Sequence, residues 1–209
     1  LKRYWINFIN LGEESIPYKE RYFSRTEILI KKKKFKYYLS PTLTEYEFKH
    51  GFFTKSWPDQ CIPSLSTYFN GDYKNYILNQ IHSNYIVFAT SALKQVKFEA
   101  DGLVSDKSNQ NLWIYTADCM PILFADKRKR VVAAVHCGRR GLEKRIIQNQ
   151  IKIFDAIGSS RNDLIVAIGP SISKNNYLVD KVTFKEFIKS NENHGLISLN
   201  KNIYNKFNS

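Results

Sequence analysis

No uncharged apolar stretch in this sequence approaches the roughly 20 residues that a membrane-crossing helix requires, and Val131–Val135 is typical of its longer runs. The first residues hold no apolar signal core, because Lys2, Arg3, Asn7 and Asn10 interrupt them. A cytoplasmic protein with no membrane partner is therefore the expectation. Cysteine is scarce. Cys61, Cys119 and Cys137 are odd in number and too dispersed for a disulfide framework, so each is structural, catalytic or a metal ligand according to its neighbours. Acidic residues are also few, 19 against 32 Lys and Arg, which leaves a formal charge of +13. Such an excess attracts polyanions. No zinc-finger, RNA-binding-strand or basic-helix pattern accompanies it, however. Much of it sits in Lys31–Lys34 and Lys36, and in lysines scattered among asparagines and isoleucines, a composition that genomic base bias also produces. Solvated lysines and no specific nucleic-acid partner are expected.

What is present suits a globular chain. Hydrophobic residues make up 43% and aromatics 14% of 209 residues, enough to bury one core. Residues 1–49 read as β-rich, with strands at Glu27–Ile30 and near Phe35–Leu39. The lysine run between them is a turn or an edge-strand guard. Residues 50–76, with Gly51, Pro58, Pro63 and Gly71, read as loop. Tyr85–Ala89 is β-prone, and Asp101-Gly102 marks a turn. Leu112–Thr116, Ile122–Ala125, Val131–Val135 and Leu164–Ile168 are apolar, partly β-branched runs between breakers, the pattern of buried strands. Leu142, Ile146, Ile147, Ile151, Phe154 and Ile157 recur at helical spacing and predict one long helix stopped by Gly158. A second helix is expected over Val182–Lys189, capped by Asp180. The order predicts a mixed α/β domain of α+β character: a single domain over residues 1–209, its mixed β-sheet core flanked by helices.

Residues with useful chemistry gather at the ends of these runs. Cys119 closes Trp113–Asp118, His136 follows Val131–Val135, and His82 precedes Tyr85–Ala89. A side chain at a strand end is held rigidly yet faces a cleft. Two imidazoles with a thiolate form a familiar catalytic zinc set with an open fourth position. The spacing matches no local zinc motif, and a lone His or Cys at a strand end is as readily explained by packing.

Several motifs narrow this. Asp101-Gly102-Leu103-Val104, Thr116-Ala117-Asp118-Cys119-Met120-Pro121, Ala133-Ala134-Val135-His136-Cys137-Gly138-Arg139-Arg140-Gly141 and Ile168-Gly169-Pro170-Ser171-Ile172 occur in order. Upstream lie His50-Gly51-Phe52-Phe53-Thr54 and Gln80-Ile81-His82. Over residues 50–180 the sequence resembles the multicopper polyphenol oxidoreductase (laccase-domain) proteins, a family since described as purine nucleoside phosphorylases. The resemblance implies a mixed α/β fold with zinc on His82, Cys119 and His136. It also implies phosphorolysis of adenosine and inosine to free base and ribose 1-phosphate, with methylthioadenosine cleavage and adenosine deamination as side activities. The sequence departs from the family pattern at Thr54-Lys55-Ser56-Trp57-Pro58, at Ser83, and at Arg139, where the family carries an aromatic residue.

Phosphorolysis asks for a cation to hold phosphate, a group to stabilise the departing purine, and a site that excludes water. Arg140, at the start of the expected long helix, is the leading anion-binding residue and so a catalytic candidate alongside Cys119; Arg139 and Lys55 could add to it. Deamination would use zinc-activated water, but the glutamate-bearing deaminase motif is absent, which leaves the proton carrier unassigned. Asp118 is a candidate for orienting a ligand. Asp101, followed by glycine, is more simply a turn residue. Cys137 should point away from His136 and pack, Cys61 has no chemical partner, and His194 is expected in solvent. Copper oxidase chemistry is disfavoured, since Cys119 and Met120 would project to opposite faces of a strand and the chain holds only four histidines. Two other readings use the same residues: a metal-free cysteine hydrolase with Cys119 as nucleophile and His136 as base, and a basic protein that binds nucleic acid or nucleosides without turnover.

Overall fold

The computed structural model describes residues 4–9, 24–30, 33–53, 73–92, 98–173 and 176–192. The chain separates into two compact units, Leu1–Pro170 and Ser171–Ser209.

The first unit contains two β-sheets. One runs in the order β2 (Ser24–Ile30), β3 (Lys33–Leu39), β4 (Lys49–Phe53), β1 (Tyr4–Ile9), β8 (Gln110–Thr116) and β5 (Lys74–Tyr76). The other runs β11 (Leu164–Ile168), β9 (Met120–Asp126), β10 (Val132–Cys137), β7 (Gly102–Val104) and β6 (Ile86–Phe88). Each sheet is mixed: the neighbours are antiparallel except β5 on β8 and β6 on β7. Strands β1 and β8 pack against β10, so the core lies between the sheets.

The period-two alternation of the central strands explains that packing. Leu123, Ala125, Val132 and Ala134 belong to the core cluster with Leu112 and Ile114 of β8. The intervening residues face outward, where Phe124 meets Phe154 with ring centroids 6.3 Å apart. Phe154 belongs to a helix that covers this outer face, so both faces of β9 and β10 are buried and both strands read as continuous apolar runs.

The long helix expected after His136 is two helices. Arg139–Glu143 (α3) follows the short helices Pro41–Glu45 (α1) and Ala89–Ala92 (α2), and Ile146–Ala156 (α4) begins after Arg145, whose backbone is left-handed at φ 68°. Apolar spacing runs through this break without interruption, so periodicity could not reveal it. The far end is as expected: α4 closes with Gly158 at φ 75°, whose N–H bonds to the Asp155 carbonyl while that of Ser159 bonds to Phe154. A second correction concerns residues 50–76, where His50–Phe53 and Lys74–Tyr76 are strand rather than loop. His50 is buried, its Nε2 accepting the Ser40 N–H at 2.6 Å and its Nδ1–H donating to the Phe48 carbonyl at 2.7 Å. That fixes the neutral tautomer, and burial pushes the pKa down to about 4.

In the second unit, Lys181–Glu192 (α5) is the expected helix, and Asp180 caps it by accepting the Thr183 N–H at 2.8 Å.

Candidate metal centre

Each of the three donors arrives by a different route. Cys119 lies in the turn between β8 and β9 rather than on the strand itself. His136 is the penultimate residue of β10, on the same face as Ala134, and Cys137 takes the opposite face. His82 comes from the segment before β6, with its backbone in the left-handed region at φ 57°. The structure brings the three together: their ligand atoms all lie within 4.8 Å of one another, and Cys119 Sγ is 3.9 Å from His82 Nε2.

Asp101 organises this cluster. Its carboxylate is fully buried and accepts from His136 Nδ1 at 2.8 Å. It also accepts the backbone N–H groups of Ile81, His82 and Ser83 at 3.3, 3.0 and 2.6 Å, and the Ser83 hydroxyl at 2.7 Å. Burial alone would raise its pKa, but these donors outweigh it and hold the group below the usual carboxylate range. An ionised carboxylate only accepts, so His136 carries its proton on Nδ1 and turns Nε2 toward Cys119 and His82. The turn reading of Asp101 is thus too modest. Sequence could not show its partners because they lie far away along the chain.

Burial disfavours the imidazolium of His136, yet the Asp101 bond and the Cys119 thiol lift its pKa to about 9 before any metal displaces the proton. Partial burial, with the nearby His136 and Arg140 charges, pushes His82 down. Burial raises the Cys137 thiol to about 12, in keeping with a packing role.

Glycine matters here for space. A methyl group on Gly138 would sit 2.9 Å from Cys119 Sγ and 3.0 Å from His82 Cδ2, and one on Gly141 would sit 3.0 Å from the Ser83 carbonyl oxygen. Neither residue has positive φ, so conformational freedom is not the reason for glycine at these turn positions. Two imidazoles and a cysteine sulfur facing one small space, with a tautomer already fixed by a carboxylate, suit a borderline divalent cation.

The other expected residues fall into two groups. Arg140 is exposed on α3, near enough to His82 to act on its charge. Arg139 pairs with Glu143 in the same helix. Because α3 has only five residues, the long-helix dipole expected at Arg140 is missing. Asp118 is exposed beside Cys119. Lys55, Cys61 and His194 lie outside the described residues, as do Lys31 and Lys32 of the lysine run.

Residues 64–207 match the family described as multi-copper polyphenol oxidoreductase laccase. The chain belongs to this family. Among curated relatives, a Synechocystis protein named purine nucleoside phosphorylase is 37% identical over 137 residues, covering 63% of this chain and 52% of the relative. A Rickettsia conorii protein of the same name is 36% identical over 131 residues, 63% of this chain and 53% of its own. The chain thus spans about half the length of the curated relatives it matches. Among solved structures, a Neisseria meningitidis protein is similar with a TM-score of 0.55 and 32% identity, over 62% of this chain and 52% of the other. A Bacillus licheniformis protein gives 0.52 and 25%, over 59% and 50%.

Proposed function

We propose that His82, Cys119 and His136 hold one zinc ion and that the site serves phosphorolysis of purine nucleosides, splitting adenosine or inosine with phosphate into free base and ribose 1-phosphate. The observation that carries the reading is the convergence of the three donors within 4.8 Å around an Asp101-fixed His136, in a chain whose curated relatives are named purine nucleoside phosphorylases. Two imidazoles and a thiolate favour zinc, and three protein ligands leave a position open.

When bound, the metal supplies a fixed positive charge against negative charge developing in the substrate. The chain's own residues do the rest. Asp101 holds His136 in one tautomer and one orientation, while Cys119 offers its sulfur from a turn that Gly138 leaves uncrowded. Arg140 meets the phosphate with a planar two-pronged donor. Arg139, engaged with Glu143, is a secondary cation of the same site, and Lys55 stays a candidate on the sequence alone. Methylthioadenosine offers the same bond for cleavage. Adenosine deamination needs a proton carrier as well, so it ranks behind phosphorolysis.

Elemental analysis combined with a phosphate-dependent inosine assay tests this. One zinc per chain and base release that requires phosphate are expected. Substoichiometric zinc that chelation and add-back cannot restore would refute it.

One observation favours a second reading. Cys119, His136 and Asp101 follow the order of a nucleophile, a base and the group that orients it. A metal-free cysteine hydrolase has no use for His82, whose left-handed backbone is held at a cost. If His82→Ala keeps full activity while Cys119→Ala abolishes it, the hydrolase reading replaces the zinc one.

A further inference from the structure

Residues Gln80–Tyr85 must present a histidine in a left-handed backbone region that a non-glycine residue adopts only at a cost. Such a conformation persists only where the surroundings over-determine it. Most of the anchors are visible on the His136 side. Asp101 takes the amides of Ile81, His82 and Ser83, and the Tyr85 carbonyl accepts the N–H groups of Asp101 and Gly102. Asn84 Nδ2 donates to the Lys144 carbonyl at 2.7 Å, and Asn149 Nδ2 donates to the Asn84 carbonyl at 3.2 Å, tying the segment to the joint between α3 and α4.

These bonds fix His82 relative to His136. Cys119 belongs to a different arm, at the end of β8. Gln80 connects the two arms: its Nε2 donates to the Tyr115 carbonyl at 2.7 Å and its Oε1 accepts the Tyr115 N–H at 2.7 Å. Strand β5 accompanies β8 only as far as Leu112. Beyond that point the Gln80 amide occupies the place of a neighbouring strand, offering one donor and one acceptor to a single residue of β8. Its own backbone leads to His82 and that of Tyr115 leads to Cys119.

We propose that Gln80 is a positioning residue that sets the separation between His82 and Cys119, acting as a side-chain substitute for a strand. This rests on the reading of the triad as a metal site. Cobalt(II) titration of the metal-free chain tests it, following the thiolate-to-cobalt absorption that reports on Cys119, with the melting temperature of each metal-free protein alongside. Gln80→Met keeps the length and removes both hydrogen bonds; Gln80→Glu keeps the acceptor and loses the donor. Gln80→Met should bind cobalt at least about tenfold more weakly, with an altered thiolate band, and Gln80→Glu should fall between it and the parent. Parent-like affinity and spectrum in Gln80→Met, or in Gln80→Glu if the first variant does not fold, would overturn the assignment. So would a lowered melting temperature with an unchanged cobalt spectrum, which marks a purely structural role. A parent chain that takes up no cobalt would instead overturn the metal reading.

Discussion

Arg140 sits exposed on a helix of five residues, so the hold on an anion proposed for it would come from the guanidinium and not from a long helix dipole. Removing a charge-assisted hydrogen bond of that kind costs on the order of 2–4 kcal/mol at the transition state, or about two to three decades in rate. Arg140→Ala should therefore depress phosphorolysis or raise the phosphate KM strongly while metal content stays at the parent level. Measuring deamination on the same preparation separates the roles, because equal losses in both reactions would make Arg140 structural. The three donors were legible at this scale through the ordered motifs around them, Gln80-Ile81-His82, Ala117-Asp118-Cys119 and Val135-His136, since position at the end of an apolar run alone is equally a mark of packing. The use of Asp101 and Gln80 was not. Each acts through partners remote in sequence, and an Asp-Gly pair or a lone glutamine carries no local mark of such a bond.

At the scale of elements, the turn from β10 into α3 is where packing decides chemistry. Gly138 has φ −82° and ψ 172°, a conformation open to alanine, so Gly138→Ala changes only the space beside Cys119 and His82. We expect metal affinity to fall by about tenfold or more with the fold retained, checked by chelator competition together with circular dichroism. Parent-like affinity would show that the neighbouring side chains move aside without consequence. The buried strands were readable from their β-branched, apolar composition because both faces are covered. His50–Phe53 was not, since Gly51 and the prolines downstream suggested loop while pairing with β1 and β3 decides the matter. The break at Arg145 escaped for a related reason: the Asn84 side chain, remote in sequence, donates to the Lys144 carbonyl beside the local Arg145 N–H bond to Leu142.

For the whole molecule, His50 predicts how stability follows pH. Its folded pKa, about 4, lies below the value of about 6.5 in the unfolded chain. The unfolded state thus binds the proton first. Stability is full above about pH 6.5 and is lost as pH falls toward 4, by roughly 3 kcal/mol. Asp101, Asp106 and Asp126, whose pKa values are depressed, add losses further down. Urea unfolding from pH 7 to 4.5 on the parent and on His50→Asn should show a shallower slope in the variant; identical slopes would exclude His50 as the source. The formal +13 makes a separate prediction. Lys127–Arg130 form the tip of the β9–β10 hairpin, at the opposite end of those strands from Cys119 and His136, and three of the four already have partners. Nucleic-acid affinity should be weak, indifferent to sequence and steeply salt-dependent. Selective binding that survives physiological salt in a filter assay would contradict this.

Three consecutive amides, those of Ile81, His82 and Ser83, share the single carboxylate of Asp101. Departure of the carboxylate frees all three together. Their exchange with deuterated solvent should be concerted, with one opening rate for the three sites. That opening also frees His136 Nδ1, so the exchange clock of one backbone segment reports on the freedom of an imidazole on another strand.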